Sequence, residues 1–432
     1  MADSSSQTKT EQVVDHFFRH ESGRVISHLS SQFGTAHLEE AEDAVQEALI
    51  KAMQTWPFSV VPKNPSGWIL TVARNKMIDN LRRKQKVVNK EDEEIYRIAE
   101  SGDTSKMSDV ELEDFLKDDV LKMMFACCDP ALSVESQIIL TLRILCGLGT
   151  PEVARALLKK DEAVAKAYTR AKGKLKEIQM KPELPSKDQV KERLAVILKV
   201  LYLLFNEGYK SSTGDDLIKK DLCLESMRLN KILCDSPFGE ISEINALMAL
   251  MCFHSSRFEA RIGSEGELLN LEDQDRSKWN AELIETGSYY FHRSYRKEVF
   301  ETMTEYHIQA AMAGLHCRAK DYESTDWEQL LQLYDLQLAS RPSPLVELNR
   351  LVVFGKVHGI QSAYKELVKL EGQPFLSNYY LFYAVKADFL LKLDSAESAI
   401  ENYEKAMTLV ENLAEKMFFQ KKIDWLKSPV QA

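Results

Sequence analysis

Three groups of side chains in this 432-residue chain have the types and spacing needed for chemistry, and in each case it is recognition chemistry. The first is acidic. Glu39, Glu40, Glu42, Asp43, Gln46 and Glu47 share one face of the segment 36–56, opposite Ala41, Ala44, Val45, Ala48, Leu49, Ala52, Met53 and Trp56. Carboxylates displayed this way attract cationic partners through charge-assisted contacts, although a merely solvated face has the same pattern. The second group is basic. From Lys63 to Lys90 eight Lys and Arg stand against Asp79 alone, and from Thr150 to Lys181 nine stand against four acids. Such clusters are the footprint of a polyanion ligand or of a solvated basic face. The third is mixed: YLLFNEGYKSS (202–212) and LLNLEDQDRSKW (268–279) are the densest polar-aromatic clusters of the C-terminal half, and Glu207, His254, Arg257, Arg261, Glu272, Asp273, Asp275 and Arg276 lie in or between them. They are candidates to line a sensing pocket, with helix caps and buried ion pairs as the plainer reading. No nucleophile with its base and no glycine-rich phosphate loop is recognisable, so enzymatic chemistry is not expected. The seven Cys form no CxxC pair or metal-like spacing, and Cys252-Phe253-His254 alone is too little for a metal site; neither metal nor cofactor is expected.

The elements that must position these groups are helices. With 17 Gly and 12 Pro in the whole chain, breakers are sparse, and an all-α fold is predicted. Apolar periodicity predicts helices at about 11–33, 36–56 and 66–86, the last opening at Ser66 as N-cap after Pro65. That helix is expected to bury Trp68, Ile69, Val72, Met77, Ile78 and Leu81 and to turn Arg74, Asn75, Asp79, Arg82 and Arg83 outward. Residues 91–119 carry twelve acids against three bases, so 87–117 reads as an acidic linker. Helices follow at about 118–128, 133–147, 150–158 and 161–178. The last two have helix-turn-helix proportions, with Val153, Ala154, Leu157, Val164, Ala165 and Tyr168 packing the pair. The second of them presents Lys166, Arg170, Lys172 and Lys174, with Lys159 and Lys160 at the turn, as a major-groove helix would. Ala167 and Gly173 interrupt that basic run.

Pro182 and Pro185 mark a boundary, after which everything reads helical, with 187–340 and 341–428 as separate parts. In the latter, helix pairs at 343–354 with 358–370 and 377–392 with 395–412 repeat near the ~34-residue period of tetratricopeptide units. Their aromatics, such as Tyr380, Tyr383 and Tyr403, suggest a partner-binding groove or inter-helix core. The longest apolar stretch, Leu194 to Phe205, contains Lys199 and falls short of the ~20 residues a membrane span needs. The N-terminal MADSSSQTKT has no signal-peptide pattern, and a cytoplasmic location without membrane contact is expected.

EEAEDAVQEALIKAMQTW (39–56) followed by NPSGWILTVARNKMIDNLRRKQK (64–86) resembles the −10-binding domain of extracytoplasmic-function sigma factors. LTLRILCGLGTPEVARALLKKDEAVAKAYTRAKGKL (140–175) resembles their −35-binding helix-turn-helix domain. The two occur in the right order across an acidic tether, and the remainder resembles the long C-terminal extension of one subgroup.

The resemblance implies a region 2-like domain at 11–86, a region 4-like domain at 118–181, and a regulatory extension. It implies core RNA polymerase as partner, through the beta-prime clamp helices and beta flap, with Glu42, Asp43, Gln46 and Glu47 as docking positions. Promoter DNA is the second partner. Lys63, Asn64, Trp68, Arg74, Asn75, Lys76, Asp79, Arg82 and Arg83 are implied at the −10 element, although the place of Trp68 on the apolar face favours core packing for that residue. Lys159, Lys160, Lys166, Thr169, Arg170, Lys172 and Lys174 are implied at the −35 element. Within the extension, Glu207, His254, Arg257, Asp273, Asp275 and Arg276 form the candidate site for a ligand or partner. The competing reading is a polymerase-independent helix-turn-helix regulator with a helical sensing domain, and a third is a repeat scaffold.

Overall fold

Sparse breakers and three- to four-residue apolar spacing give a chain of eighteen α-helices, with no strand among the described residues. The computed structural model describes residues 21–59, 61–88, 109–157, 159–209, 218–263, 269–295, 303–373, 375–410 and 413–428. The part of the first expected helix before residue 21, and most of the acidic linker, lie outside them. The chain divides into two compact units, residues 1–205 with 224–233, and residues 206–223 with 234–432. The division falls inside a helix, some twenty residues beyond the Pro182–Pro185 boundary.

The first unit opens with α1 (Ser22–Phe33), α2 (Leu38–Thr55) and α3 (Pro65–Val88). In α2 the alanines of the apolar stripe, with Val45 and Leu49, are at most 1% exposed, which lets neighbouring helices approach closely. Met53, expected on that stripe, is exposed. In α3 the buried set is Ile69, Leu70, Ala73, Met77, Ile78 and Leu81. Arg74 is buried with them, against expectation, because it lies four residues after Leu70 and four before Ile78 on the same face. The helix starts one residue before the expected cap: Asn64, not Ser66, accepts the Gly67 N–H at 2.7 Å.

Next come α4 (Asp109–Cys127), α5 (Val134–Ile144), α6 (Thr150–Ala156) and α7 (Asp161–Ile178). Asp109 to Lys117, read as linker, is the first half of α4. Leu116, Val120, Met123, Met124 and Cys127 bury the inner face of this helix.

The two modules separated in the sequence pack together here. The His28 Nδ1 lies 2.9 Å from the Asp119 carboxylate, with both side chains nearly inaccessible. Thr35, in the turn between α1 and α2, donates its N–H (2.9 Å) and its hydroxyl (3.1 Å) to the Met180 carbonyl just beyond α7. Gly23 of α1 lies against the end of α5: a Cβ there would come within 2.6 Å of the Leu145 carbonyl oxygen. The unit is completed by residues up to Phe205 of α8 (Lys187–Tyr209), where Arg193 pairs with Asp129 at 2.7 Å, and by the middle of α9 (Lys220–Asp235).

The second unit is built on α10 (Ser242–Ser255), almost wholly buried between α11 (Ala281–Ser294) and α12 (Glu305–Arg318). Gly287 and Gly314 on the two flanking helices make room for the Phe253 ring; a Cβ at Gly287 would meet it at 2.8 Å. After α13 (Trp327–Ser340) come α14 (Pro344–His358) with α15 (Ile360–Lys369), and α16 (Tyr380–Lys392) with α17 (Ala396–Leu409). The two pairs start 36 residues apart, and α18 (Leu413–Lys427) packs against the second. Tyr403 is the centre of that core, with its hydroxyl bonded to Asp388, so this ring serves packing rather than an open groove.

Six of the seven Cys are buried, and burial pushes the Cys128 and Cys252 thiols up to about 12, so they stay protonated and behave as core. Two glycines give opposite expectations. Gly23→Ala should cost about 1–3 kcal/mol by forcing α1 off the Leu145 carbonyl. Gly173→Ala on α7, where nothing lies within 4 Å, should gain about 0.5–1 kcal/mol. Thermal denaturation of both variants checks the pair.

Candidate nucleic-acid interface

The helix pair α6–α7 closes through Val153 and Ala154 against the inner face of α7, made by Val164, Ala167, Tyr168, Ala171 and Leu175. Ala167, which interrupts the basic run, is therefore a packing residue, while Ala165, expected to pack, faces solvent. The outer face of α7 exposes Lys166, Thr169, Arg170 and Lys174, and Ala165, Lys166, Thr169 and Arg170 line a shallow open depression. Lys160 is exposed beside them, and Lys159 makes an exposed 2.7 Å pair with Glu135, worth little in water.

Lys172 departs from the expected pattern. Its ammonium is turned to α2, 2.8 Å from one Glu42 oxygen and 3.8 Å from Glu39, and the Lys172 and Glu42 side chains are each 17% exposed. The other Glu42 oxygen accepts from the Tyr168 hydroxyl. Burial and the neighbouring Glu42 charge hold the Tyr168 pKa far above its ordinary value, so the phenol stays a donor. Arg143 and Lys172 both lie 4.9 Å from the centre of the Tyr168 ring. One acidic residue expected to dock polymerase and one lysine expected on DNA are thus bonded to each other.

The remaining acidic positions, Asp43, Gln46 and Glu47, are exposed on α2. Glu47 makes an exposed 2.6 Å pair with Lys76 of α3. On α3, Asn75, Asp79, Arg82 and Arg83 share an exposed face, and Lys63 is exposed in the preceding loop. Arg74 is not available there, being 8% exposed. Asn64 caps α3, and half-buried Trp68 lies with its ring centre 5.6 Å from that of Trp56, an aromatic pair that closes the loop between α2 and α3.

Of the polar set in the second unit, the structure brings together His254, Arg257 and Arg276. Their partners Tyr209 and Trp279 lie within the polar-aromatic runs 202–212 and 268–279 but not among the predicted site residues, and His316 on α12 carries no sequence signal. Glu207 is set apart with Lys219 at 3.5 Å. Asp273 is exposed, and Asp275 caps a 3₁₀ turn by accepting from the Ser277 N–H (2.9 Å) and hydroxyl (2.7 Å), bonds that lower its pKa. A separate pocket of about 450 Å³ lies between α11, α12 and α13, floored by Phe253, Phe291 and Leu333 and rimmed by Arg318 and Gln329. No cluster of three or more His, Cys, Asp or Glu placed to hold a metal ion occurs among the described residues. No helix among them is long and apolar enough to cross a membrane.

The bond between Glu42 and Lys172 is testable by a double-mutant cycle. Glu42→Gln, Lys172→Met and the double variant should show a coupling of about 1–3 kcal/mol in thermal or urea denaturation. A freely solvated pair would give a coupling near zero.

Residues 17–87, which hold α1, α2 and α3, match the family described as Sigma-70 region 2. Residues 193–295 match a family of unknown function (DUF6596). An uncharacterized protein of Rhizobium meliloti (strain 1021) is 34% identical over 390 residues, covering 90% of both chains. No solved structure matches. The acidic α2 and basic α3 thus fall within the Sigma-70 region 2 match, which supports a sigma factor of the sigma-70 family, and over nearly its whole length the chain belongs to one family with the Rhizobium protein.

Proposed function

We propose that this chain is a sigma factor of the extracytoplasmic-function type that directs core RNA polymerase to promoters with both −10 and −35 elements. The observation that carries the reading is the region 2 match over residues 17–87, which takes in the exposed carboxylates of α2 and the exposed basic face of α3. Asp43, Gln46 and Glu47 meet the clamp helices of the beta-prime subunit, where acids against Arg-rich helices give fast, steered association. Asn75, Arg82 and Arg83, with Lys63 in the loop, take the −10 element: the arginines hold phosphates, and the Asn75 amide suits a base edge. Lys166, Thr169, Arg170 and Lys174 take the −35 element, placed by the helix-turn-helix behind them. Bond-making stays with the polymerase. The C-terminal unit, with its tetratricopeptide-like pairs, regulates access to polymerase or DNA.

This reading requires the first unit to open. The two elements lie roughly 25 base pairs apart by their own labels, on the order of 80 Å at ~3.4 Å per base pair. Glu42 and Lys172, one from each reading module, are 2.8 Å apart. Both modules cannot sit on their elements with this bond intact. Glu42 lies one residue from Asp43, so polymerase docking on α2 competes directly for the same carboxylate.

Asp43→Lys with Glu47→Lys should abolish binding to core polymerase, at least 100-fold in a pull-down or fluorescence titration, while leaving the helical circular-dichroism signal intact. Unchanged binding by the folded double variant would contradict the proposed docking face.

A further inference from the structure

Most half-buried cations in this protein have an acid beside them: Arg24 has Glu21, Arg193 has Asp129, Arg228 has Glu225, and Lys172 has Glu42. Three arginines of the second unit break that rule. Arg257, Arg261 and Arg276 have no carboxylate within 4 Å among the described residues; Asp321 and Glu323 act on Arg276 only from beyond that distance. Arg261 is 6% exposed and the other two are half-buried.

Aromatic rings and carbonyls hold them. Arg261 lies 3.7 Å from the Tyr209 ring centre and donates to the Tyr209 carbonyl at 2.5 Å. Arg257 lies between the Tyr209 and Trp279 rings, at 5.9 and 5.5 Å, and donates to the Tyr209 hydroxyl. Arg276 stacks on Trp279 at 4.0 Å and donates to the His316 carbonyl. These contacts orient the guanidinium groups without neutralising them, since a ring quadrupole attracts a cation but carries no net charge. The neighbouring histidines add no counter-charge. Burial, with the adjacent arginines, lowers the pKa of His254 far below the ordinary range and that of His316 to about 4, so both are neutral.

Donors at the same place lack acceptors. Trp279 is 8% exposed, yet its indole N–H has no hydrogen-bond partner, and neither does Arg276 Nη2. His316 Nδ1 is likewise buried and unpartnered, and becomes a further donor in the Nδ1–H tautomer of the neutral ring. Uncompensated positive charge, fixed guanidinium forks and idle N–H groups together describe half of an ion pair. The missing half is an oxygen anion, because the planar fork matches the paired oxygens of carboxylate and phosphate.

We propose that Arg257, Arg261 and Arg276, with Trp279 and His316, form a binding site for a small oxyanion, a phosphate or carboxylate group. All but His316 fall within the segment 193–295 that matches the family of unknown function, so the site gives that segment a job as a ligand-sensing input. The inference does not depend on the promoter reading, because it concerns charge balance inside the second unit alone.

The test uses the full chain in isothermal titration and thermal denaturation, with inorganic phosphate and acetate as probes and chloride at matched ionic strength as reference. Saturable binding, with a melting temperature raised by several degrees, is expected for one of the two. Preference for phosphate assigns a phosphate-bearing ligand, and preference for acetate a carboxylate. Arg257→Gln and Arg276→Gln should each weaken binding at least tenfold. Trp279→Phe, which keeps the ring and removes the N–H, should weaken it several-fold in a chain with native helicity. The proposal is overturned if neither anion exceeds chloride, or if all three folded variants bind as the parent does.

Discussion

The arrangement of the N-terminal unit depends on a bond between two surfaces that we propose meet other partners. Glu42 belongs to an acidic helix face and Lys172 to a basic helix, and each is the opposite charge the other would seek in a larger complex. With Tyr168 holding the second carboxylate oxygen, the contact is directional and mostly shielded from water. A half-buried pair of this kind stabilises modestly, because part of its Coulomb gain offsets the loss of hydration. In the proposed complex, a polymerase surface rich in arginine would offer the same carboxylate a replacement partner. The contact is therefore strong enough to define a resting form and weak enough to be exchanged. The buried His28–Asp119 pair and the fit of Gly23 against the α5 carbonyls give that resting form its shape.

Much of this was legible in the sequence. The helices of both units, the acidic and basic faces and the packed pair α6–α7 follow from apolar spacing, which records burial directly. The errors share one origin, since a single helix pattern cannot say which flank of its stripe meets a neighbour. Arg74 lies on the buried flank of α3, Met53 on the open flank of α2, and Ala167 replaces Ala165 in the α6–α7 seam. Asp109–Lys117 reads as linker from its acidic composition, yet it forms the first half of α4. Lys172 looked like its basic neighbours on α7. Only the approach of α2, a tertiary event, separates it from Lys166 and Arg170.

The C-terminal unit shows the same limit in another form. Its arginines were visible as a polar-aromatic cluster, with helix caps and ion pairs as the plain expectation. That expectation holds for Asp275, a cap, and for Glu207, which pairs with Lys219, but not for Arg257 and Arg276, which stack on rings instead. Tyr209, Trp279 and His316 come from three separate stretches of chain, and no periodicity links them. The tail is plainer: its stacked helix pairs bury their aromatics, with Tyr403 inaccessible at the centre.

The central claim is that one closed unit holds both DNA-reading modules at rest and must part for them to work. Single-molecule energy transfer between dyes at Lys51→Cys on α2 and Glu177→Cys on α7, both exposed and outside the proposed contact sets, measures this directly, in a Cys317→Ser background that removes the one cysteine not fully buried. The free chain should give one high-efficiency population, and the polymerase–promoter complex one of low efficiency, consistent with a separation on the order of 80 Å. Low efficiency in the free chain, or high efficiency retained on the promoter, would contradict the account.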